Sequence, residues 1–169
     1  MDNQDIKQQV RTFYDQVGWK SVGEGVYQNA RYEDLRPVSH EYIHRCHLRV
    51  NRYLSPVGSL LLDAGSGPVQ YPEYLTYSEY YQHRVCLDIS ILALKEARQR
   101  LAEHGLYVVA DVANLPFKPE AFDGLVSLHT LHHLPLTEQR KAYIEFMRVL
   151  SPGRTAVVIN GWTESLLMR

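Results

Sequence analysis

Residues 60–68 read LLLDAGSGP, three leucines, an aspartate and then a G-x-G pair. A short apolar run that empties into two glycines is the pattern of a buried strand entering a tight loop. Glycine loops after strands cradle nucleotide-like ligands, and the details of the loop separate one ligand from another. Two details matter here. An aspartate stands two places before the first glycine, and the third glycine of G-x-G-x-x-G is replaced by Gln70.

Working outward from this loop, strands and helices alternate. Leu60 to Asp63 is a strand, PEYLTYSEYY a helix, and RVCLDI a strand. Ser90 caps a helix whose Leu94, Ala97 and Leu101 share a face, and Gly105 ends it. LYVVAD and GLVSL are strands. Ala142, Phe146 and Val149 mark a further helix closed by Ser151-Pro152-Gly153, and TAVVIN is the fifth strand. The strands are continuous apolar runs, as expected where both sheet faces are covered. The expectation is α/β, a doubly wound parallel sheet. Before it, about Asn3 to Val17 places Ile6, Val10, Phe13 and Val17 on one helical face, GWKSVGEGVY reads as loop, and about Val38 to Tyr53 is a second helix. The domain expectation is one structural unit, with residues 1–58 as a helical lid or substrate segment and 59–169 as the α/β core.

Composition narrows the class. The chain has 169 residues, 45% hydrophobic and 22% charged, which suits one globular domain. Eighteen basic residues against nineteen acidic ones leave a net charge of -1, with no bulk electrostatic pull toward nucleic acid or anionic membrane. No apolar run has membrane-spanning length, the polar N-terminus is unlike a signal peptide, and Cys46 and Cys86 are the only cysteines. A reducing, cytoplasmic location is expected, with Cys86 in the core.

In an open parallel sheet, ligands bind at the carboxyl ends of the strands. Strand one ends in Asp63-Ala64-Gly65-Ser66-Gly67, strand two in Asp88-Ile89, strand three in Asp111-Val112 and strand four at Leu128-His129. Asp88 can accept hydrogen bonds from both hydroxyls of a ribose. Asp111 can accept from an exocyclic adenine amine while a neighbouring N–H donates to the ring. A dinucleotide would need its pyrophosphate on the helix N-terminus and a third glycine, and Asp63 would repel it. A ligand with a sulfonium and an ammonium and no phosphate fits better, with Asp63 attracting its cationic amino-acid end, directly or through water.

These residues resemble a class I S-adenosylmethionine-dependent methyltransferase of the small-molecule type, methyltransferase domain 11-like. The resemblance is carried by LLLDAGSGP, CLDIS, ADVANLPF, FDGLVSLHTLHHLP and IEFMRVLSPGRTAVVIN, over about Leu60 to Asn160. It implies S-adenosyl-L-methionine as cofactor, held by Asp63, Ala64, Gly65, Gly67, Asp88, Ile89, Asp111, Val112, Leu128 and His129. It implies His129 and His133 as the nearest candidate bases, and Tyr14 and Trp19 as a lid or substrate surface. Two departures are visible. Val69 stands where the family usually has a glycine two places after the second, and the chain stops after strand five of a sheet that normally has seven. A small-molecule acceptor is expected, with self-association through the strand-five edge as a further expectation.

Plainer readings stand beside these. Asp63 can be a loop cap, Asp88 an N-cap and Asp111 a turn residue. His129, His132 and His133 lack a companion Cys or acid at ligand spacing, so no metal is expected. His40, His44 and His47 share one helical face with Arg45, Arg49 and Arg52 nearby, a pattern read as a polar, solvated surface. Tyr71, Tyr74, Tyr77 and Tyr81 are read as packing. Two rival functions are a cofactor-binding module or fragment without turnover and an NAD-dependent oxidoreductase, the latter opposed by Asp63 and the missing glycine.

Overall fold

The computed structural model describes residues 3–19, 21–23, 26–27 and 37–160. Residues 161–169, GWTESLLMR, and the rest of the segment before the second helix lie outside the described residues.

Helix α1 (Asn3–Phe13) runs into a single π turn, Tyr14–Gly18. Short strands β1 (Ser21–Gly23) and β2 (Val26–Tyr27) pair antiparallel, where a loop was expected. Helix α2 (Pro37–Arg49) ends in a 3₁₀ turn, Val50–Arg52. Then come β3 (Gly58–Ala64), α3 (Pro72–Leu75), β4 (Tyr81–Asp88), α4 (Ile91–Leu101), β5 (Gly105–Val109), β6 (Phe122–Leu128), α5 (Leu136–Val149) and β7 (Leu150–Ile159).

The main sheet has the order β5-β4-β3-β6-β7, and every pairing within it is parallel. The chain starts in the middle of the sheet, winds to one edge through β4 and β5, then returns to lay β6 and β7 on the other side. The direction of winding reverses between β3 and β6, which opens a crevice at their carboxyl ends. Register is what puts the candidate residues together: Asp63 lies opposite Cys86 on β4 and opposite Val126 on β6.

Both faces of the sheet are buried, which is why its strands read as unbroken apolar runs. Alternation sends Leu62, Val85, Leu87, Phe122 and Leu125 to the face covered by α5, through Ala142, Phe146 and Val149. It sends Leu61, Cys86 and Val126 to the face covered by α4, through Leu94, Ala97 and Leu101. Cys86 is fully buried there, and Tyr74, Tyr77 and Tyr81 join the same cluster.

Local details correct several sequence expectations. PEYLTYSEYY is helical only through Leu75, followed by a 3₁₀ turn at Thr76–Ser78, because β4 already begins at Tyr81. Ser90 does cap α4, accepting from the Ala93 N–H at 3.2 Å. Gly105 does not end that helix. Ala102 takes the left-handed position with φ 47°, and Gly105, at φ -96°, opens β5. The third strand ends at Val109, so Asp111 follows it in a turn. The fifth strand begins at Leu150 and includes Ser151–Gly153, and Asn160 falls after it. The apolar stripe of the first helix is only half turned inward: Ile6 and Val10 are half-buried, while Phe13 is 49% exposed and Val17 40%. The π turn adds a residue to that turn, and Tyr14 rather than Phe13 faces the protein.

Candidate active site

The glycine loop is built by its own backbone. Gly65 and Ser66 continue the β3–β4 ladder, donating to the Leu87 carbonyl at 2.7 and 3.1 Å. Gly65 has φ 79° and Gly67 φ 54°, the left-handed region that glycine enters without cost. Space is closed as well. A Cβ on Gly65 would collide with the Thr130 side chain, whose hydroxyl donates to the Gly65 and Leu128 carbonyls at 3.1 Å each. A Cβ on Gly67 would meet the Trp19 ring at 2.8 Å. Val69, at the usual third-glycine position, adopts φ 53° and is fully buried. The loop keeps the backbone shape a glycine would give it and stores strain of about 1–3 kcal/mol in a β-branched residue. The Ala64 carbonyl accepts from Ser127 at 2.8 Å, which ties the end of β3 to β6.

Asp88 joins this loop to the next helix. Its Oδ2 accepts from the Gly67 N–H and its Oδ1 from the Ser90 N–H, both at 2.8 Å. An ionised carboxylate has about four acceptor positions, so capacity for a ligand hydroxyl remains. Burial pushes the Asp88 carboxyl up to about 6, against the lowering pull of backbone bonds from Ser90 and Gly67. Ile89 follows it and is half-buried.

Asp63 is not an open carboxylate. It is buried and paired with Arg84, whose Nε donates to Oδ2 at 3.0 Å and whose Nη2 donates to the same oxygen. Asp111 accepts from the Ala113 N–H at 2.9 Å, from Asn114 Nδ2 at 3.1 Å and from Lys7 Nζ, while Val112 is buried beside it. The Lys7 ammonium also pairs with Glu138 on α5. Burial alone would lower the Lys7 pKa, but the bonds to Asp111 and Glu138 outweigh it and raise it.

His129 follows β6 with φ 54°, its N–H donating to the Ile159 carbonyl at 2.6 Å. His133 Nε2 lies 2.7 Å from the Tyr14 hydroxyl. Burial, then His132 and His129, lower His133 to about 4, so the ring is neutral at neutral pH. Partial burial and the neighbouring His132 lower His129 as well. Burial, and then Asp88, raise the Tyr14 hydroxyl to about 12. The Tyr14 ring stacks on Trp19 at 4.9 Å.

The N-terminal segment therefore reaches the carboxyl ends of β3, β4, β5 and β6: Trp19 at Gly67, Asp15 at Ser90, Lys7 at Asp111 and Tyr14 at His133. Sequence reading brought Tyr14 and Trp19 to the site and missed Lys7, Asp15, Arg84, Thr130 and Glu138. Arg84 carried one signal, a cation inside an apolar strand run. Lys7 carried none, because its partners lie 104 and 131 residues away. His44 and His47 of the second helix both lie against Glu73, and His47 packs on the Tyr71 and Tyr74 rings rather than on a solvated face.

The family model of the methyltransferase domain matches residues 62–158. The chain belongs to the methyltransferase domain family. Its methyltransferase core spans the glycine loop, the strand-end acids and all but the last residue of β7. The chain is 37% identical over 108 residues to an Arabidopsis thaliana tRNA (carboxymethyluridine(34)-5-O)-methyltransferase, covering 63% of this chain and 25% of that protein. It is 28% identical over 163 residues to the Botryococcus braunii sterol methyltransferase-like 1, covering 90% of this chain and 40% of that protein. The chain thus spans a quarter to two fifths of the length of these relatives. In fold it superposes on the Haemonchus contortus phosphoethanolamine N-methyltransferase 1, solved with phosphoethanolamine and S-adenosylhomocysteine, with TM-score 0.71 and 14% identity, covering 96% of this chain and 33% of that one.

The residues fit the S-adenosylmethionine of this class of methyltransferases. Gly65 and Gly67 give the loop its left-handed turn, and acids at successive strand ends offer acceptors for hydroxyls and amines. The six-membered ring of Trp19 lies against Gly67, and its buried Nε1 has no acceptor among the described residues. No helix among the described residues is long and apolar enough to cross a membrane.

Proposed function

We propose that this chain binds S-adenosylmethionine across the carboxyl ends of β3, β4 and β5 and transfers its methyl group to a small-molecule acceptor. The observation that carries this reading is the convergence of Gly65, Gly67, Asp88 and Asp111 at one crevice under a segment that touches each strand end. Asp88 would take the ribose hydroxyls, and Asp111 with the Val112 N–H the adenine. Gly65 and Gly67 would admit the amino-acid end beside Asp63, with Leu128 and His129 closing the β6 side. When bound, the cofactor supplies an activated methyl group on a cationic sulfur.

The chain's own contribution is orientation and exclusion of water. Lys7, Tyr14, Asp15 and Trp19 cover the strand ends, and the relative named as a sterol methyltransferase-like protein supports a small-molecule acceptor. The low pKa of His133 makes it a weak base at neutral pH, so its part, with Tyr14, is to orient an acceptor that is already nucleophilic. In domain terms, residues 1–58 act as the lid and 59–169 as the core. The free thiols of Cys46 and Cys86 fit a reducing, cytoplasmic setting. β7 is an edge strand among the described residues, and it offers a surface for self-association.

A second reading, an RNA acceptor, is favoured by the relative named as a tRNA methyltransferase. Calorimetry with S-adenosylhomocysteine comes first, and binding is expected. Methyl transfer from labelled cofactor to a panel of small amines, phenols and sterols, run beside transfer to bulk tRNA, then separates the acceptors. Labelled tRNA with an unlabelled small-molecule panel would replace the small-molecule reading. Binding with no transfer to any acceptor would favour a non-catalytic module. Tighter binding of NAD than of S-adenosylhomocysteine would overturn the whole reading.

A further inference from the structure

The candidate site rests on a buried cation that the cofactor motifs do not include. Arg84 lies on β4, on the strand face that also carries Cys86 and Asp88, and it is fully buried. A guanidinium in such a place is tolerated only when its donors are met, so its partners define its role. Nε and Nη2 both donate to Asp63 Oδ2, and Nη1 donates to the Tyr74 carbonyl of α3. The Tyr77 ring centre is 5.9 Å from the guanidinium carbon. Both bonds to Asp63 end on one oxygen, which leaves Oδ1 to other donors.

We propose that Arg84 is a positioning residue for the amino-acid end of the cofactor. By gripping Oδ2 it fixes the Asp63 carboxylate at the foot of the glycine loop and leaves Oδ1 to receive the cofactor's ammonium. The inference rests on the S-adenosylmethionine reading above. Its physical reason is the place of Asp63. By strand alternation its side chain shares a face with Leu61 and looks into the apolar layer that holds Cys86 and Tyr77. A carboxylate there without a cation has nothing to hold it and swings away, and it is then a poor partner for an ammonium. Arg84 supplies that cation. Its bond to the Tyr74 carbonyl anchors the guanidinium to α3, so the grip does not move with the loop.

A purely structural role, cross-linking β3, β4 and α3, makes a different prediction. It would disturb every part of the cofactor site alike, whereas the positioning role affects only ligands that carry the ammonium. Calorimetry with S-adenosylhomocysteine and with 5′-methylthioadenosine, which keeps the adenosine and lacks the amino-acid tail, reads the difference. In Arg84→Met, S-adenosylhomocysteine affinity is expected to fall by about 10-fold or more, and methylthioadenosine affinity by less than about 3-fold. Arg84→Lys, which returns a cation to one oxygen without the fork, is expected to recover part of the loss for S-adenosylhomocysteine alone. Equal losses for both ligands, or no loss for S-adenosylhomocysteine, overturn the proposal. If Arg84→Met does not fold by circular dichroism, the Lys variant decides by the same split between ligands. Wild-type protein that binds neither ligand overturns the cofactor reading itself, and Arg84 falls with it.

Discussion

The glycine loop and the N-terminal segment, the proposed lid, meet at the same crevice, yet they are held by different kinds of contact. The loop is fixed chiefly through its own backbone N–H groups: Gly65 and Ser66 on the Leu87 carbonyl, and Gly67 on the Asp88 carboxylate of the adjacent strand. The lid is held at the same strand ends by side chains, Lys7, Tyr14, Asp15 and Trp19, each reaching a residue remote in sequence. Backbone contacts inside a sheet open only with the sheet, while side-chain contacts of one helix can open singly. The core should therefore behave as a rigid platform, and the lid as a part that can lift to admit a ligand.

The strongest test of that contrast is Gly65→Val. The left-handed backbone and the collision with Thr130 act together, so stability should fall by about 3 kcal/mol or more, and cofactor affinity should vanish. The Thr130 contact makes the loss of folding larger than a ligand-approach argument alone implies. A folded variant with wild-type affinity in calorimetry would mean that the loop is as adjustable as the lid.

Asp88 comes next. Asp88→Ala removes a carboxylate acceptor and should weaken S-adenosylhomocysteine binding by on the order of 1.5–3 kcal/mol. Its pH dependence has a sign. The folded carboxyl titrates at about 6, above its usual 3.8, so its bound proton stabilises the ligand-free fold fully below pH 3.8. That contribution is lost as pH rises through about 6. Ribose hydroxyls donate to the ionised form, so cofactor affinity should change in the opposite direction, tightening from pH 5 to 7 and levelling above. Asp88→Asn should flatten the slope of unfolding free energy between pH 4 and 6. An unchanged slope in denaturant titrations would remove Asp88 as the titrating group.

Lys7→Met should act on the lid alone. Asp111 and Glu138 lose their shared cation, and local opening of α1 should become easier by about 1–2 kcal/mol. Hydrogen exchange should speed up in residues 5–13 while β3 and β4 keep their protection. Equal loosening of both would show that lid and core open as one unit. The smallest effect is expected from Tyr14→Phe, which deletes one hydrogen bond to His133 and should cost about 1 kcal/mol or less. Its readout is the His133 ring in NMR, where the chemical shift should move with no change in melting temperature beyond a few degrees. A large fall in melting temperature would place Tyr14 in the fold rather than in the lid.

The contrast also explains what could be read from residues alone. The strand pattern, the glycine loop and Asp88 were legible because each depends on neighbours in sequence or on the two-residue strand period. LLLDAGSGP and CLDIS carry their own geometry, and Ser90 caps the helix that follows it. Where a different local rule won, the reading slipped. Gly105 looked like a helix end, but Ala102 took the left-handed position, and PEYLTYSEYY looked helical although most of its tyrosines are core packing. Phe13 and Val17 fitted a helical stripe, but the π turn leaves them outside.

The sequence by itself determined the sheet and the chemical type of the residues at its carboxyl strand ends, because periodicity, glycine and chain order act over short distances. Only the tertiary structure decided which of those residues are committed to one another. Asp63 has its Oδ2 taken by Arg84, Asp111 shares Lys7 with Glu138, His133 meets Tyr14, and Val69 accepts the backbone shape of the glycine it replaces. These outcomes depend on which side chains arrive at the same point in space, and a buried charge or a strained backbone is tolerated only once packing has brought its partner there.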